Sequence, residues 1–335
     1  MILAPLTAAA VSTRPVLALD LGASRIRAAV VLPDGTLAAR DDGITRSADG
    51  PGAIIADCIA LLRTVRERAP NGIGRQLAGI GIAAPGPLDA GRGRVIDTPN
   101  LGERFVDVDL AGPIAHALGL PAVLERDTVV ALLAESGFGA ARGARDAIYL
   151  TVSTGVGGAV LADGRVLAGA DGLAGELGHM VVDLDGPACG CGGRGHLEAL
   201  SSGIGLARAA ADRLADGGAP GLAALARSRP GGVLTARDLA AAEEAGDPDA
   251  AALLDRARRA FAAAMVGLVD IFNPEVIVVG GSLAQGQGER WLAPARAAVA
   301  GEAFRVQAAR VRLVPAALGD DVGLVGALGL VGARL

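Results

Sequence analysis

Four side chains able to ligate a metal lie close together in the chain: His179, Cys189, Cys191 and His196. The sequence holds three cysteines and three histidines, so most of its soft donors gather in this one segment. Two thiolates and two imidazoles make a standard tetrahedral zinc set. Glycines at 190, 192, 193 and 195 let the loop wrap a small ion. The competing readings are a redox pair and a glycine-rich loop with two buried thiols. A thioredoxin-type pair wants Cys-x-x-Cys at a helix start, and Cys189 and Cys191 are one residue too close for that. With four protein ligands a zinc ion here is structural, because no position is left for an activated water. The remaining cysteine, Cys58, falls on an apolar helical stripe and reads as a small core residue. His116 reads as a surface or helix-end residue.

Carboxylates flank the cluster. Glu176 precedes His179 and Glu198 follows His196. Acids on loops are ordinarily just solvated. On a clamped loop, however, two acceptors and an imidazole have fixed geometry and could read the hydroxyls of a sugar. A further acid, Asp127, stands in Glu125-Arg126-Asp127, between a short strand and a helix. It can cap that helix, or serve as a general base toward a substrate hydroxyl. The two roles are not exclusive.

Three glycine turns end apolar strands. Asp20-Leu21-Gly22-Ala23-Ser24 joins two of them. It is either a plain hairpin or a phosphate turn, with Asp20 holding Mg²⁺ directly or through water. Ser153-Thr154-Gly155-Val156-Gly157-Gly158 adds two hydroxyls, and Gly280-Gly281-Ser282 ends a third buried strand. Three such turns favour a nucleotide ligand. No P-loop and no strand-to-helix GxGxxG occurs, which excludes Walker and dinucleotide folds.

The elements that must position these groups alternate between strand and helix. Val16–Leu21, Ile26–Leu32 and Thr36–Ala39 read as three strands, and a helix follows around Gly52–Arg68. Strands are expected at Leu77–Ala84 and Ala122–Leu124, with a helix from Asp127 to Gly137. Ala147–Val152, Ala159–Ala162 and Val166–Leu167 repeat the opening order of strand, glycine turn, strand, turn, strand. Helices dominate 203–273, strands return at Val276–Val279 and Val311–Val314, and Gly319-Asp320-Asp321 is expected to cap a final helix. At 335 residues and 51% hydrophobic the chain fits two α/β domains around a ligand cleft. A net charge of −5 argues against nucleic acid as a partner, and all 31 basic residues are arginine. No apolar run reaches membrane-spanning length, and the first residues lack the basic start of a signal peptide. The expected compartment is the cytoplasm.

LDLGASRIR (19–27), GIGIAAPGPLD (79–89), Pro99–Leu101, Glu125–Asp127, Ser153–Gly158 and above all GLAGELGHMVVDLDGPACGCGGRGHLE (172–198) resemble the ROK family, which joins bacterial sugar kinases such as glucokinase with sugar-responsive repressors. The resemblance runs from about Val16 through the 319–327 segment. It implies a two-domain actin-like, hexokinase-type (ribonuclease H-like) α/β fold, built on a duplicated core. The boundaries expected are a loose tail over 1–14, one domain over 15–130, and a second over 131–318 carrying the zinc loop 179–196. A helix over 319–335 is expected to pack back on the first domain.

The resemblance also implies roles. Asp127 matches the catalytic base. Glu176, His179, Glu198 and Asn100 match sugar-binding positions. His179, Cys189 and Cys191 match zinc ligands. Asp20, Gly22, Ser24, Arg25, Thr154 and Gly155 fall in the ATP phosphate loops, and Gly280 and Gly281 near the adenosine. Three departures stand out. His196 replaces a usual cysteine, which turns a three-thiolate set into two and two. Gly-Ala-Ser-Arg (22–25) replaces Gly-Gly-Thr-Lys. Arg126 replaces an asparagine that normally bonds the sugar. That arginine could lower the pKa of Asp127, select an acidic sugar, or point outward.

The expected protein is therefore an ATP- and Mg²⁺-dependent sugar kinase with a structural zinc, taking a hexose at its 6-hydroxyl. Its partners would be the sugar, ATP and a second copy of itself, with neither nucleic acid nor membrane. The rival is a non-catalytic or degenerate sugar-binding regulator, motivated by Arg126. The residues ahead of the first strand are too few for a helix-turn-helix. Residue types alone leave the identity of the sugar open.

Overall fold

The computed structural model describes residues 6–98, 101, 102 and 104–335. The chain forms two compact units. One comprises Met1–Tyr149, Ala159–Gly175 and Ala316–Leu335, and the other Leu150–Gly158 and Glu176–Pro315.

Eight strands come first: β1 (Val16–Leu21), β2 (Arg25–Val31), β3 (Leu37–Ile44), β4 (Ile80–Ala84), β5 (Leu88–Asp89), β6 (Arg94–Asp97), β7 (Val106–Asp109) and β8 (Ala122–Arg126). Five of them make a sheet in the order β3-β2-β1-β4-β8. β1 pairs antiparallel to β2 and parallel to β4, and β4 runs parallel to β8. β1 is buried on both faces, which explains its unbroken apolar run. Leu17, Leu19 and Leu21 point to a core shared with Ile54, Cys58 and Leu62 of the helix Pro51–Arg68. Val16 and Ala18 point the other way, onto Leu324, Ala327, Leu328 and Val331 near the C-terminus. Cys58 is fully buried, and its thiol is pushed up to about 12 by that burial.

Five more strands follow: β9 (Ala147–Val152), β10 (Val156–Ala162), β11 (Arg165–Val166), β12 (Val276–Gly280) and β13 (Arg312–Pro315). Their order, β11-β10-β9-β12-β13, repeats that of the first sheet. Each sheet thus opens with a three-strand meander and adds two later strands beside the first. The helices of the second unit include Gly203–Ala215, Ala236–Glu244, Pro248–Phe272 and Glu289–Glu302. Asp247 caps the longest of them by accepting from the Ala250 N–H at 2.9 Å, with Pro248 at its first turn. Among the described residues no helix is long and apolar enough to cross a membrane.

Several elements differ from the sequence reading. β3 extends to Ile44, its edge polarity (Arg40, Asp41, Asp42) having masked it. A three-stranded sheet, β5-β6-β7, lies where no strand is expected, because its strands are short and half charged. Residues 6–14 are packed rather than loose. The Val166 N–H donates to the Leu6 carbonyl at 2.8 Å, and the Ser12 N–H to Leu328 at 3.0 Å. Leu6 itself is 3% exposed. Asp321 caps nothing with its side chain; its Oδ1 instead meets Arg40 at 3.2 Å. The segment leading to it is held by Glu135, a fully buried carboxylate. Glu135 Oε1 accepts the Ala317 and Leu318 N–H groups at 2.9 and 3.0 Å, and Oε2 that of Ala140 at 2.7 Å.

Candidate functional site

The metal-ligating residues of the second unit come together. His179 closes a 3-10 turn (Leu177–His179), and the chain after it doubles back on itself. Val181 pairs with His196 and Ala188 with Arg194 as antiparallel bridges. The Cys189 N–H donates to the Gly193 carbonyl at 2.8 Å, and the Gly192 N–H to the Cys189 carbonyl at 3.1 Å, forming a tight knuckle. Gly195 has φ +65°, and a Cβ there would lie 1.7 Å from the Asp183 carbonyl oxygen, so only glycine closes the loop. One ligand atom from each of His179, Cys189, Cys191 and His196 lies within 4.8 Å of the others. Cys191 Sγ is 3.3 Å from His196 Nδ1, and Cys189 Sγ 3.8 Å from His179 Nδ1. Zinc bonds of about 2.0–2.3 Å in tetrahedral geometry require ligand spacings of about 3.3–3.8 Å. The donor set fits that ion, and the Cys191–His196 and Cys189–His179 spacings already match it.

Glu198 joins the knuckle to the glycine turn. It lies in the first turn of the short helix Leu197–Ser201. Its Oε2 accepts the Val156 N–H at 3.0 Å, and its Oε1 accepts from the Cys189 thiol at 3.8 Å. The carboxylate fits because Gly155 has no side chain: a Cβ there would lie 2.6 Å from Oε2. The same turn reaches the third glycine segment, since Ser153 Oγ and Ser282 Oγ are 2.9 Å apart. Gly281 (φ +91°) lets that segment pass directly over the backbone of Val152. The N–H groups of Gly203 and Ile204 donate to the carbonyls of Ser153 and Thr154 at 2.8 and 3.1 Å, fixing the turn from below. Thr154 and Glu176 are exposed. Thr154, Gly155, Glu198, Gly280, Gly281 and the four ligands therefore belong to one braced constellation.

The first unit carries the remaining candidates. Asp20, one residue before the end of β1, has 7% of its surface exposed, and Arg27 stands opposite it on β2. Arg27 Nη2 is 2.9 Å from Asp20 Oδ2, while Nη1 donates to the Asp320 carbonyl. Gly323 leaves room for this pair, since a Cβ there would lie 2.6 Å from Asp20 Oδ2. Burial pushes the Asp20 carboxyl above its ordinary 3.8, and the Arg27 charge pulls it partly back. The turn after β1 is stapled by Thr45, whose Oγ1 donates to the Gly22 carbonyl at 2.8 Å and whose N–H donates to Ser24 at 3.1 Å. Ser24 is exposed, and Arg25 pairs with Asp42 of β3.

Arg126 is the last residue of β8 and is 4% exposed. Its guanidinium donates to the Ala174 carbonyl, and its stem passes over Gly86, where a Cβ would lie 3.1 Å from Cδ. Asp127, at the start of the helix Asp127–Phe138, is exposed and accepts the Thr128 N–H at 2.7 Å. That bond reaches only the next residue and is not the usual cap to a later turn. Glu125 is buried, which raises its pKa; the Arg126 N–H and the charges of Arg126 and Arg334 oppose the shift. Asn100 lies outside the described residues.

The sequence reading missed Arg27, Thr45 and the linking bonds of Glu198 and Ser153. Arg27 was within reach: with 22–25 as the turn, hairpin register sets residue 27 opposite residue 20.

The model of the ROK family matches residues 16–334. A glucokinase from Halalkalibacterium halodurans is 32% identical over 316 residues, 94% of this chain and 94% of that one. An N-acetylmannosamine kinase from Citrobacter koseri is 32% identical over 311 residues, 93% of this chain and 96% of that one. A ROK family glucokinase from Streptomyces griseus, solved with glucose and AMPPNP, superposes with a TM-score of 0.74 at 30% identity, covering 94% of this chain and 98% of that one. The fold is accordingly of the α/β actin-like type, with its repeated strand order.

The Asp20–Arg27 pair predicts a pH dependence. An acid whose pKa is raised by folding loses stability as pH climbs from its unfolded to its folded value, because only the unfolded chain releases the proton there. Arg27→Ala removes the opposing charge and extends that window upward. In urea denaturation the variant is expected to lose stability progressively against the unaltered chain as pH rises above the ordinary carboxylate range. Adding Asp20→Asn is expected to remove the slope. A pH-independent difference would overturn the assignment.

Proposed function

The chain belongs to the ROK family, and from that membership we propose that it is an ATP-dependent sugar kinase, acting on a hexose or hexose derivative at the 6-hydroxyl. The observation that carries this reading is the union, through Glu198 and the Ser153–Ser282 contact, of a hydroxyl-bearing glycine turn, a second glycine turn and a rigid polar loop. Relatives named as a glucokinase and an N-acetylmannosamine kinase support the substrate class.

In this proposal Asp127 accepts the proton of the sugar hydroxyl as its oxygen attacks the γ-phosphorus of MgATP. The new P–O bond forms as the bond to the ADP oxygen breaks, and ADP leaves with magnesium. Catalysis rests on positioning and charge neutralisation. Gly22, Ser24, Arg25, Thr154 and Gly155 serve the phosphates, and Gly280 and Gly281 the adenosine. Asp20, already paired with Arg27, meets the magnesium of MgATP through water. Asn100, Glu176, His179 and Glu198 hold sugar hydroxyls. His179 turns Nδ1 toward Cys189, which leaves Nε2 for the sugar. Zinc held by His179, Cys189, Cys191 and His196 supplies no step; it stiffens the loop that leads to Glu198. Arg126, with its guanidinium on Ala174, shapes the sugar site by fixing the loop before Glu176.

An ADP-release assay over hexoses, N-acetylhexosamines and acidic sugars is expected to show turnover with at least one. Asp127→Asn is expected to lower kcat by about 10²–10⁴-fold while ATP still binds. ATP binding without turnover on any sugar would sink the kinase reading. Arg126→Asn is expected to change the ranking of sugars, and an unchanged ranking would deny the arginine a part in specificity. Metal analysis is expected to find about one zinc per chain, and much less in Cys191→Ser. Purified protein without zinc would remove the clamp.

A further inference from the structure

An open surface cavity of about 560 Å³ lies in the first unit, away from every group assigned above, with Arg63, Glu67 and Arg75 exposed and Arg66 half-buried. Its walls come from the end of the helix Pro51–Arg68, the 3-10 segment Pro70–Arg75 and the end of the helix Ala111–Leu118. The latter two segments lead into the N-terminal ends of β4 and β8. Asp20 and Arg126 lie at the C-terminal ends of β1 and β8, which run parallel through β4. The cavity and the candidate catalytic groups are therefore at opposite ends of the same parallel strands, a strand length of about 16 Å apart.

Three arginines line it, Arg63, Arg66 and Arg75, against one acid, Glu67. Among the described residues none of the three lies within ion-pair distance of a carboxylate, whereas Arg46, Arg68 and Arg94 nearby in the chain all do. Part of their role is structural. Arg66 donates to the carbonyls of Gly74 at 2.9 Å and Leu118 at 2.8 Å, and Arg63 to that of Ala117 at 3.2 Å, closing helix ends. Those three bonds leave most of about fifteen N–H donors unused. They also hold two guanidinium groups in place before any ligand arrives, which lowers the cost of binding. Arg75 folds over Gly72, where a Cβ would lie 3.3 Å from its Nη2.

We propose that this cavity is an anion site that takes the phosphate group of a small phosphorylated metabolite. The volume suits a small ligand. Guanidinium forks match phosphate oxygens, and three forks, two from the helix Pro51–Arg68 and one from the 3-10 segment Pro70–Arg75, suit a tetrahedral dianion better than a planar carboxylate, which one fork can satisfy. The site stands on these residues alone and does not depend on the kinase reading.

Calorimetry on the full chain tests it, with inorganic phosphate and a hexose 6-phosphate as probes. The comparison is with Arg63→Ala/Arg75→Ala, which keeps Arg66 and its two structural bonds. Saturable binding is expected, weakened at least about tenfold in the double variant, whose melting temperature falls only by the loss of the single exposed Arg63–Ala117 bond. Glu67→Gln is expected to tighten binding, and it keeps the test decisive if the double variant folds poorly. Tighter binding of the hexose phosphate than of phosphate identifies a phosphorylated sugar as the ligand; equal binding identifies the phosphate group alone. Equal affinity in the unaltered chain and both variants, or no saturation by about 10 mM, overturns the proposal. Absence of sugar phosphorylation would leave this readout untouched, so the two failures are distinguishable.

Discussion

One carboxylate organises the second unit. Glu198 accepts the Val156 N–H on one oxygen and sets the other 3.8 Å from Cys189 Sγ, at the rim of the knuckle. Together with the Gly203 and Ile204 N–H bonds to the turn, it ties the Cys/His knuckle to the Ser153–Gly158 turn. Displacement of either is resisted by the other, and the Ser153–Ser282 contact passes the constraint to the end of β12. Such bracing lets short glycine-rich segments, which have little intrinsic preference for one conformation, hold a single geometry. The bond depends on the bare Cα of Gly155, so the glycine and the acid form one device.

Charge is handled differently in the first unit. Asp20 and Glu125 both end up buried on strands, where desolvation disfavours ionisation. Each has an arginine near it, Arg27 at 2.9 Å and Arg334 at 3.8 Å. Arg126 belongs to the same economy. Its guanidinium is anchored on a loop carbonyl and its stem is covered by Gly86, so it is a buried strut beside an exposed Asp127. An asparagine at that position could not reach as far.

Most of the fold is legible in the sequence because β1 and β9 are apolar runs ended by glycine turns, and the same order recurs twice. The metal cluster is legible because soft donors are scarce in this chain and four of them fall together. What stayed hidden has physical reasons. β5–β7 are two to four residues long and half charged, too short and polar to stand out from loop. Residues 6–14 have no periodicity, and their order comes from partners far along the chain, at Val166 and Leu328. The links through Glu198 and Ser153 are long-range contacts that local pattern does not encode. Arg126 was visible as an oddity, but its burial was not.

The first sheet has one face closed by residues near the start of the chain and the other by Leu324, Ala327, Leu328 and Val331. A ribosome makes those residues only after the entire second unit. Until they emerge, Val16, Ala18, Ala29 and Val31 face water, and Glu135 lacks two of the three N–H groups it collects. The nascent first unit stays half-covered until residues 324–331 are made, a span in which its exposed apolar face is open to wrong partners.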